Sequence, residues 1–361
     1  MCTIIIACLI SLSALSLSSC TQKTVATSVV YTDFPQTIEL KAKVQPLDTA
    51  LFRYPFRIRV QGDKAVVMDL HGTDYFCHAF HYPDFRYLSS FGKRGEAPKE
   101  MLSAENIRWN GGFLWMLDAG KSEINRYGFT SSGHSLSLLE TVRLDEEMFR
   151  PLDFVQYDDT TFVIPDYSGD SRFCWVDAKG RLLRRTGIIP TANEAALENA
   201  RPALAQAWRS FIDYNPRNGV LAAVTQLGEV LEVFNLKDST HVVRIGPHGE
   251  PEFQVSQGYG IPTGIMGFSD VQVTDNAIYA VFHGRSFKEI AQNVQQGVYL
   301  PDGGRYIYVF SLTGEPLCRY ALDHYVYGIL VNEQKGTILA TDVNEDEPII
   351  EYKLDWNEML R

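Results

Sequence analysis

Residues 106–118 read NIRWNGGFLWMLD: a strand in which apolar and polar residues alternate, a tight turn, and a second strand that is almost wholly apolar. The turn contains Asn110, Gly111 and Gly112, and these residue types tolerate the positive φ angles that hairpin turns require. Alternation in the first strand places one face against a core and the other in polar surroundings. The stretch therefore predicts a β-hairpin whose second strand is buried.

The same pattern occurs six times along the chain, and its turns follow one another at intervals of 48–60 residues. The six hairpins begin at Phe56, Asn106, Asp153, Ser210, Asp270 and Gly328. A third strand follows each hairpin, and a fourth usually follows after another turn. Four antiparallel strands repeated at this interval, with almost no helix between them, are typical of a β-propeller. We therefore predict an all-β fold, a six-bladed β-propeller with short helical insertions.

Blade six has only three strands before the sequence ends at Arg361. Residues 37–42 (TIELKA) alternate like a strand that has no hairpin partner. We expect this amino-terminal strand to pair with the segment around Ile350, which closes the last blade and covers two sheet edges. The insertions at residues 192–208 (ANEAALENARPALAQAW) and 286–296 are predicted to be helical. Pro202 is expected to start a second short segment of the first insertion, and Ser286 and Glu289 have capping-box spacing at the start of the second.

An uncharged, mostly apolar segment, residues 4–17, precedes the repeats. Fourteen residues span about 21 Å as a helix, which is short for a bilayer and typical of a secretory signal. The segment ends in Leu17-Ser18-Ser19-Cys20, which resembles a bacterial lipobox and implies that Cys20 carries lipid. We accordingly divide the chain into a signal peptide (1–19), a lipid-anchored linker (20–35) and a six-bladed propeller (36–361).

The composition is that of a folded, acidic protein, with 45% hydrophobic residues and a formal net charge of −11. An acidic chain without a run of lysine or arginine lacks the electrostatic footprint of a nucleic-acid-binding protein, so no nucleic-acid partner is expected. Three cysteines lie in the propeller: Cys77, Cys174 and Cys318. Their wide spacing indicates neither zinc nor a disulfide framework, and we predict free, mostly buried thiols.

Each of the six second strands ends in a polar residue, and these residues are Asp69, Asp118, Asp166, Gln226, His283 and Asp342. Two similar loops, residues 91–98 (FGKRGEAP) and 245–251 (IGPHGEP), add Arg94, Glu96, His248 and Glu250 to the same face. We predict that these side chains ring one mouth of the channel and bind a ligand there. The alternative is that each aspartate only accepts hydrogen bonds from the backbone of its own turn.

Carboxylate oxygens at the mouth would suit calcium or magnesium. We nevertheless expect no metal and no cofactor, with one of these two cations as the alternative. The motifs of common hydrolases, G-x-S-x-G and H-E-x-x-H, do not occur, and the sequence indicates no catalytic residue.

The apolar leader, the lipobox at Cys20, the six repeats and the two G-x-x-G-E loops together resemble the TolB-like, NHL-like six-bladed propeller lipoproteins of Bacteroidetes. The resemblance covers nearly the whole chain after Cys20. It implies a lipid anchor in the bacterial cell envelope, at the outer membrane or on the periplasmic face. Thr21-Gln22-Lys23 follows Cys20 without the acidic residues of an export signal, so surface exposure and periplasmic retention both stay open. The family implies no established activity.

We therefore expect a non-enzymatic, membrane-anchored protein that binds a glycan, peptide or protein partner at the channel face. One alternative is a metal-dependent hydrolase similar to propeller enzymes of the gluconolactonase type. Another is an assembly subunit that docks through residues 192–208. Trp208 and Tyr299 lie outside the strand pattern and are candidates for exposed aromatic side chains.

Overall fold

The computed structural model describes residues 27–47 and 51–354. Three short strands come first: β1 (Thr27–Val30), β2 (Thr37–Leu40) and β3 (Lys43–Val44). Blade one contains β4 (Pro55–Gln61), β5 (Lys64–Asp69), β6 (Tyr75–His81) and β7 (Arg86–Lys93). Blade two contains β8 (Ala104–Asn110), β9 (Phe113–Asp118), β10 (Glu123–Phe129) and β11 (Leu136–Arg143). Blade three contains β12 (Val155–Asp158), β13 (Thr161–Pro165), β14 (Phe173–Asp177) and β15 (Leu182–Thr186).

Blade four contains β16 (Ser210–Asn215), β17 (Val220–Thr225), β18 (Val230–Asn235) and β19 (Thr240–Ile245). An additional hairpin follows it, with β20 (Phe253–Ser256) and β21 (Tyr259–Pro262). Blade five contains β22 (Phe268–Val273), β23 (Ala277–Phe282), β24 (Gly304–Ser311) and β25 (Pro316–Val326). Blade six contains β26 (Ile329–Asn332), β27 (Thr337–Thr341) and β28 (Ile349–Lys353), and β3 is its fourth strand. The six predicted hairpins are the first two strands of the six blades, so the predicted six-bladed propeller is confirmed.

The first strands of the blades surround a central channel, and the fourth strands form the outer rim. β26 of blade six contacts β4 of blade one, which closes the ring. We call the channel end formed by the connections between second and third strands, and between successive blades, the loop mouth. The opposite end, where the first strand of each blade turns into the second, is the hairpin mouth.

The turn between β8 and β9 shows why the repeated hairpins form. Asn110 pairs with Phe113 across it, and the two intervening residues, Gly111 and Gly112, have φ angles of 58° and 83°. Two successive positive φ angles define the tight turn whose twist matches that of antiparallel strands. A Cβ atom at either glycine would meet no neighbouring atom, so backbone conformation alone selects glycine here.

The amino-terminal segment covers the rim of three blades in succession. β1 pairs in parallel with β19, β2 pairs in parallel with β25, and β3 pairs antiparallel with β28. Blade six therefore takes its fourth strand from the amino terminus, as predicted. The predicted residues were wrong, however: Val44 lies opposite Ile350, whereas Ile38 lies opposite Tyr320 of blade five.

β2 covers apolar side chains at the junction of blades five and six. Ile38 and Leu40 pack against an apolar cluster that these two blades share, and Leu40 is almost completely buried. The Asp323 carboxylate then accepts the backbone N–H of Ala42, just before the chain reaches blade six. Because β1 lies within the segment predicted to be a linker (20–35), the folded part begins before residue 36.

The two predicted helical insertions contain α1 (Glu194–Asn199) and α2 (Arg201–Ala207), with Pro202 in the first turn of α2, and α3 (Phe287–Gln295). Ser286 caps α3 by accepting the backbone N–H of Glu289 at 3.0 Å. Trp208 is fully buried beside α2, in a cluster that includes Val230 and Val243 of blade four. The prediction that Trp208 is exposed is therefore wrong, whereas Tyr299 is 75% exposed. The insertion at 192–208 uses its apolar residues to pack on its own propeller.

Cys77, Cys174 and Cys318 are free and buried, as predicted. Cys20, its lipobox and the apolar segment 4–17 lie outside the described residues. Within residues 27–47 and 51–354, no helix has the length and apolar character needed to cross a membrane.

Candidate functional site

Six ionisable side chains fill the middle of the channel, five from first strands and one, Asp153, from the segment just before β12. We call them the channel network: Arg57, Arg59, Arg108, Asp153, Asp213 and Asp270. The Arg108 guanidinium lies 2.6 Å from the Asp213 carboxylate and 3.2 Å from that of Asp153. Arg57 is fully buried, 3.9 Å from the centre of the Phe56 ring. Because Arg57 is inaccessible from either end, we treat the loop mouth and the hairpin mouth as separate candidate sites.

The aspartates of the channel network also join neighbouring blades. Each carboxylate accepts a backbone N–H from the first strand of the next blade, from Ile212 to Asp153 (2.8 Å), from Val273 to Asp213 (2.7 Å) and from Ile329 to Asp270 (2.9 Å). A first strand has no further strand on its channel side, so its N–H groups need such acceptors when buried. Sequence reasoning missed this network.

At the loop mouth, two of the predicted site aspartates are fully buried and hold backbone groups. The Asp69 carboxylate accepts N–H groups of Arg53 and Tyr54, both at 2.8 Å. The Asp118 carboxylate accepts those of Leu102, Ser103, Gly120 and Lys121 at 2.9–3.2 Å. These two side chains thus fasten the chain entering each blade to the end of its second strand. Their lone pairs are directed at the backbone.

Asp166 and Asp342 are nearly buried but have fewer backbone partners. Asp166 accepts the N–H of Ser168 at 2.9 Å, and its other oxygen lies 3.5 Å from the Arg185 guanidinium. Asp342 accepts the backbone N–H of Asn344 at 2.9 Å, and its second oxygen lies 2.9 Å from His324 Nδ1.

Gln226 and His283, which end the second strands of blades four and five, are half-buried. The backbone N–H of His283 donates to the Gly267 carbonyl, but its buried ring Nε2 has no hydrogen-bond partner within residues 27–47 and 51–354. Burial lowers the pKa of His283 to about 4, with nearby Arg285 acting in the same direction and Asp302 opposing it. The imidazole is therefore neutral at physiological pH.

Sequence reasoning missed an aromatic cluster beside His283. The Tyr54 hydroxyl donates to the Asp302 carboxylate, and the ring centres of Tyr54 and Tyr327 are 5.5 Å apart. The Tyr327 ring centre is 5.6 Å from that of His283. Burial raises the pKa of both tyrosines, so these phenols stay protonated.

The two similar loops occupy the loop mouth in different ways. Arg94 is exposed; its guanidinium lies 4.3 Å from the Phe76 ring centre and donates to the Leu70 carbonyl at 3.2 Å. Glu96 is exposed. Glu250 accepts the Thr191 hydroxyl at 2.5 Å and so fixes the start of the helical insertion.

His248 belongs to a hydrogen-bonded unit that includes the missed residue Glu229. Glu229 is 1% exposed, and one carboxylate oxygen lies 2.6 Å from His248 Nδ1. The other oxygen accepts the Tyr31 hydroxyl at 2.7 Å. The amino-terminal segment is thereby connected to the loop mouth. His248 also borders a cavity of about 520 Å³ between the 245–251 loop and the hairpin β20–β21.

A second cavity, of about 440 Å³, opens at the hairpin mouth. Its floor includes Arg59, Arg108 and Asp213 of the channel network, and its walls carry Tyr157 and Tyr214. This volume lies within the usual range of ligand pockets, about 300–1,000 Å³. The site residues predicted from the sequence lie at the opposite end of the channel.

No group of three or more histidine, cysteine, aspartate or glutamate side chains among the described residues is arranged to hold a metal ion. The calcium or magnesium alternative therefore has no ligand set in that part of the chain and stays a prediction.

Comparison with solved structures identifies the same architecture. A protein of Bacteroides fragilis NCTC 9343 that is assigned to the exported proteins is 11% identical, with a TM-score of 0.56 over 90% of this chain and 99% of that one. A DUF4221 family member from Bacteroides vulgatus ATCC 8482 is 9% identical, with a TM-score of 0.51 over 88% and 98%. A streptogramin B lyase is 13% identical, with a TM-score of 0.50 over 88% of each chain. At these identities the likeness shows a shared fold.

The comparison with curated proteins found no match. The family model for the TolB-like 6-blade propeller-like proteins matches residues 33–334, which is most of the chain and includes the first strands of all six blades. The chain therefore belongs to the TolB-like six-bladed propeller family.

Proposed function

We propose that the protein is a lipid-anchored, non-enzymatic binding protein of the bacterial cell envelope, and that its ligand occupies the cavity at the hairpin mouth. The observation that carries this proposal is the cavity of about 440 Å³, which has polar groups at its floor and aromatic side chains in its walls. Concave sites with a few convergent polar groups are the usual form of ligand pockets. The proposal moves the binding site from the predicted loop mouth to the opposite end of the channel.

Binding rather than catalysis is supported by the pairing of the floor residues. Arg108 bonds to two carboxylates of the channel network, and Asp213 accepts from both Arg108 and a backbone N–H. A general base or nucleophile needs a lone pair directed at a substrate. The Asp213 carboxylate instead directs its lone pairs at Arg108 and at the backbone N–H of Val273, which supports a rigid recognition surface.

The envelope location is supported by the apolar segment 4–17 and the lipobox that ends at Cys20. The assignment of the structurally similar Bacteroides fragilis protein to the exported proteins agrees with this location. We expect Cys20→Ser to shift the protein from the membrane fraction to the soluble fraction. Equal membrane association of wild type and variant after salt washing would contradict lipidation at this residue.

The cavity assignment is tested by obstructing it. Leu330 lines the cavity from the first strand of blade six and is half-buried, so we expect Leu330→Trp to fill space without disturbing the core. Leu183→Trp, on the 57% exposed side chain of an outer strand, is the matched control. Protein isolated from its own envelope is examined by native mass spectrometry. We expect a bound small molecule on wild type and control but not on Leu330→Trp; equal occupancy of all three would contradict the proposal.

A further inference from the structure

The walls of the hairpin-mouth cavity carry two tyrosines whose polar ends are unused. Tyr157 and Tyr214 are half-buried, and their ring centres are 5.4 Å apart at an interplanar angle of 34°. Neither hydroxyl has a hydrogen-bond partner among the described residues. Both hydroxyls are accessible to solvent. These two rings therefore offer an apolar surface next to two free hydrogen-bonding groups.

The cavity floor offers polar groups without an unbalanced charge. Arg59 donates to the carbonyls of Ile58 and Ile329 through one nitrogen, and its other terminal nitrogen lies 3.7 Å from Asp270. Its remaining N–H groups are available to a ligand, because arginine carries five such donors. The Gln272 side chain exchanges two hydrogen bonds with the backbone of Val331, which fixes its orientation.

The charges around the cavity disfavour an anionic ligand. Its lining contains two arginines against three aspartates, Asp158, Asp159 and Asp213. Both arginines are already close to carboxylates of the channel network. A cation is also poorly matched, because the only floor carboxylate in the lining, Asp213, already accepts from Arg108 and from a backbone N–H. A neutral ligand with many hydrogen-bonding groups avoids both the repulsion of an anion by the lining carboxylates and the burial of a cation without a free carboxylate to pair with it.

We infer that the hairpin-mouth cavity binds a neutral saccharide, and this inference rests on the proposed function of the cavity. A sugar ring has an apolar face of C–H groups, which packs on the Tyr157 and Tyr214 rings. Its hydroxyls reach the two phenol groups and the free N–H donors of Arg59. Such a ligand replaces water at these solvent-accessible groups with direct hydrogen bonds.

The test uses the full propeller and measures binding by isothermal titration calorimetry. The neutral probes are maltose, cellobiose, lactose and N,N′-diacetylchitobiose; the charged probes are galacturonate and glucosamine. We expect at least one neutral disaccharide to bind, and Leu330→Trp to abolish that binding. Tyr157→Phe and Tyr214→Phe keep the rings and remove the hydroxyls, so each is expected to weaken binding about fivefold, the value of one neutral hydrogen bond. Tyr299→Phe, at the loop mouth, is the control and leaves the affinity unchanged.

The outcomes separate this inference from the proposed function. If only a charged probe binds, and its binding is lost in Leu330→Trp, the inference of a neutral saccharide is overturned, while ligand binding in the cavity stands. If neither tyrosine variant weakens the binding of a neutral disaccharide, recognition by these residues is overturned. If no probe binds in a manner sensitive to Leu330→Trp, and envelope-derived protein carries no ligand, both are overturned.

Discussion

At the loop mouth, Asp118 directs its carboxylate at four backbone N–H groups. At the hairpin mouth, by contrast, the Tyr157 and Tyr214 hydroxyls have no partner in the described part of the chain. Both ends have polar side chains, and sequence reasoning selected the end with more charge. A carboxylate that recurs at strand ends thus serves mainly to accept hydrogen bonds from the backbone N–H groups of its own blade. A recognition site is better indicated by polar groups that the fold does not use.

The largest loss of stability is expected for a substitution in the channel network, which separates the two mouths. Asp153 accepts from Asn106 at 2.7 Å, from Ile212 at 2.8 Å and from Arg108 at 3.2 Å. Asp153→Ala removes one of the two carboxylates that Arg108 contacts and leaves the buried Ile212 N–H and Asn106 amide without their acceptor, which is expected to lower the free energy of unfolding by about 3–5 kcal/mol. Urea denaturation measures this, with Asp159→Ala at the exposed rim as the control. A loss below about 1 kcal/mol would contradict the role of the network.

Smaller losses in the free energy of unfolding are expected for variants of the loop-mouth aspartates, and their sizes differ with the number of backbone groups that each carboxylate holds. Asp118→Ala is expected to cost about 2–3 kcal/mol, because four N–H groups lose a charged acceptor. Asp166→Ala is expected to cost about 1 kcal/mol, because one backbone N–H depends on it. If instead both variants kept full stability and lost ligand affinity, the original prediction of a ligand site at this mouth would hold.

The buried imidazole of His283 at the loop mouth predicts that the stability of the fold depends on pH. Its folded-state pKa of about 4 lies below the value near 6.5 of an unfolded chain, so the unfolded state takes up a proton first as the pH falls. Stability from His283 is complete above about pH 6.5 and is lost as the pH falls toward 4, by about 2 kcal/mol at pH 5. Urea denaturation of wild type and His283→Gln at about pH 7.5 and 5 isolates this contribution. An equal loss in both proteins would contradict it.

The repeats were predictable from the sequence because each hairpin combines local signals, such as Gly111 and Gly112, with burial patterns that its neighbours share. The position of β2 was not predictable in the same way. Ile38 and Leu40 alternate as any edge strand does, and the pattern does not distinguish the rim of blade five from that of blade six. Ile38 and Leu40 cover an apolar cluster that blades five and six share, so burial does not distinguish the two rims either.

The channel network had a signal in the sequence that the strand-end pattern obscured. Ionisable residues such as Arg57, Arg108 and Asp270 occur in the first strands, whereas the second strands are almost wholly apolar before their last residue. That asymmetry indicates a polar channel. The hairpin-mouth cavity had no such signal, because its tyrosines come from two blades whose spacing only the closed ring defines.

The wrapping of the amino-terminal segment has a mechanical consequence. Tension applied upstream of Thr27 reaches the parallel pairing of β1 with blade four first, then β2 on blade five, and only last the two-residue β3 that completes blade six. A tether at this end would therefore load three contacts in series before it strains the junction between blades six and one. Under a pulling force from this end, the three strand pairings would separate one after another before the ring opens.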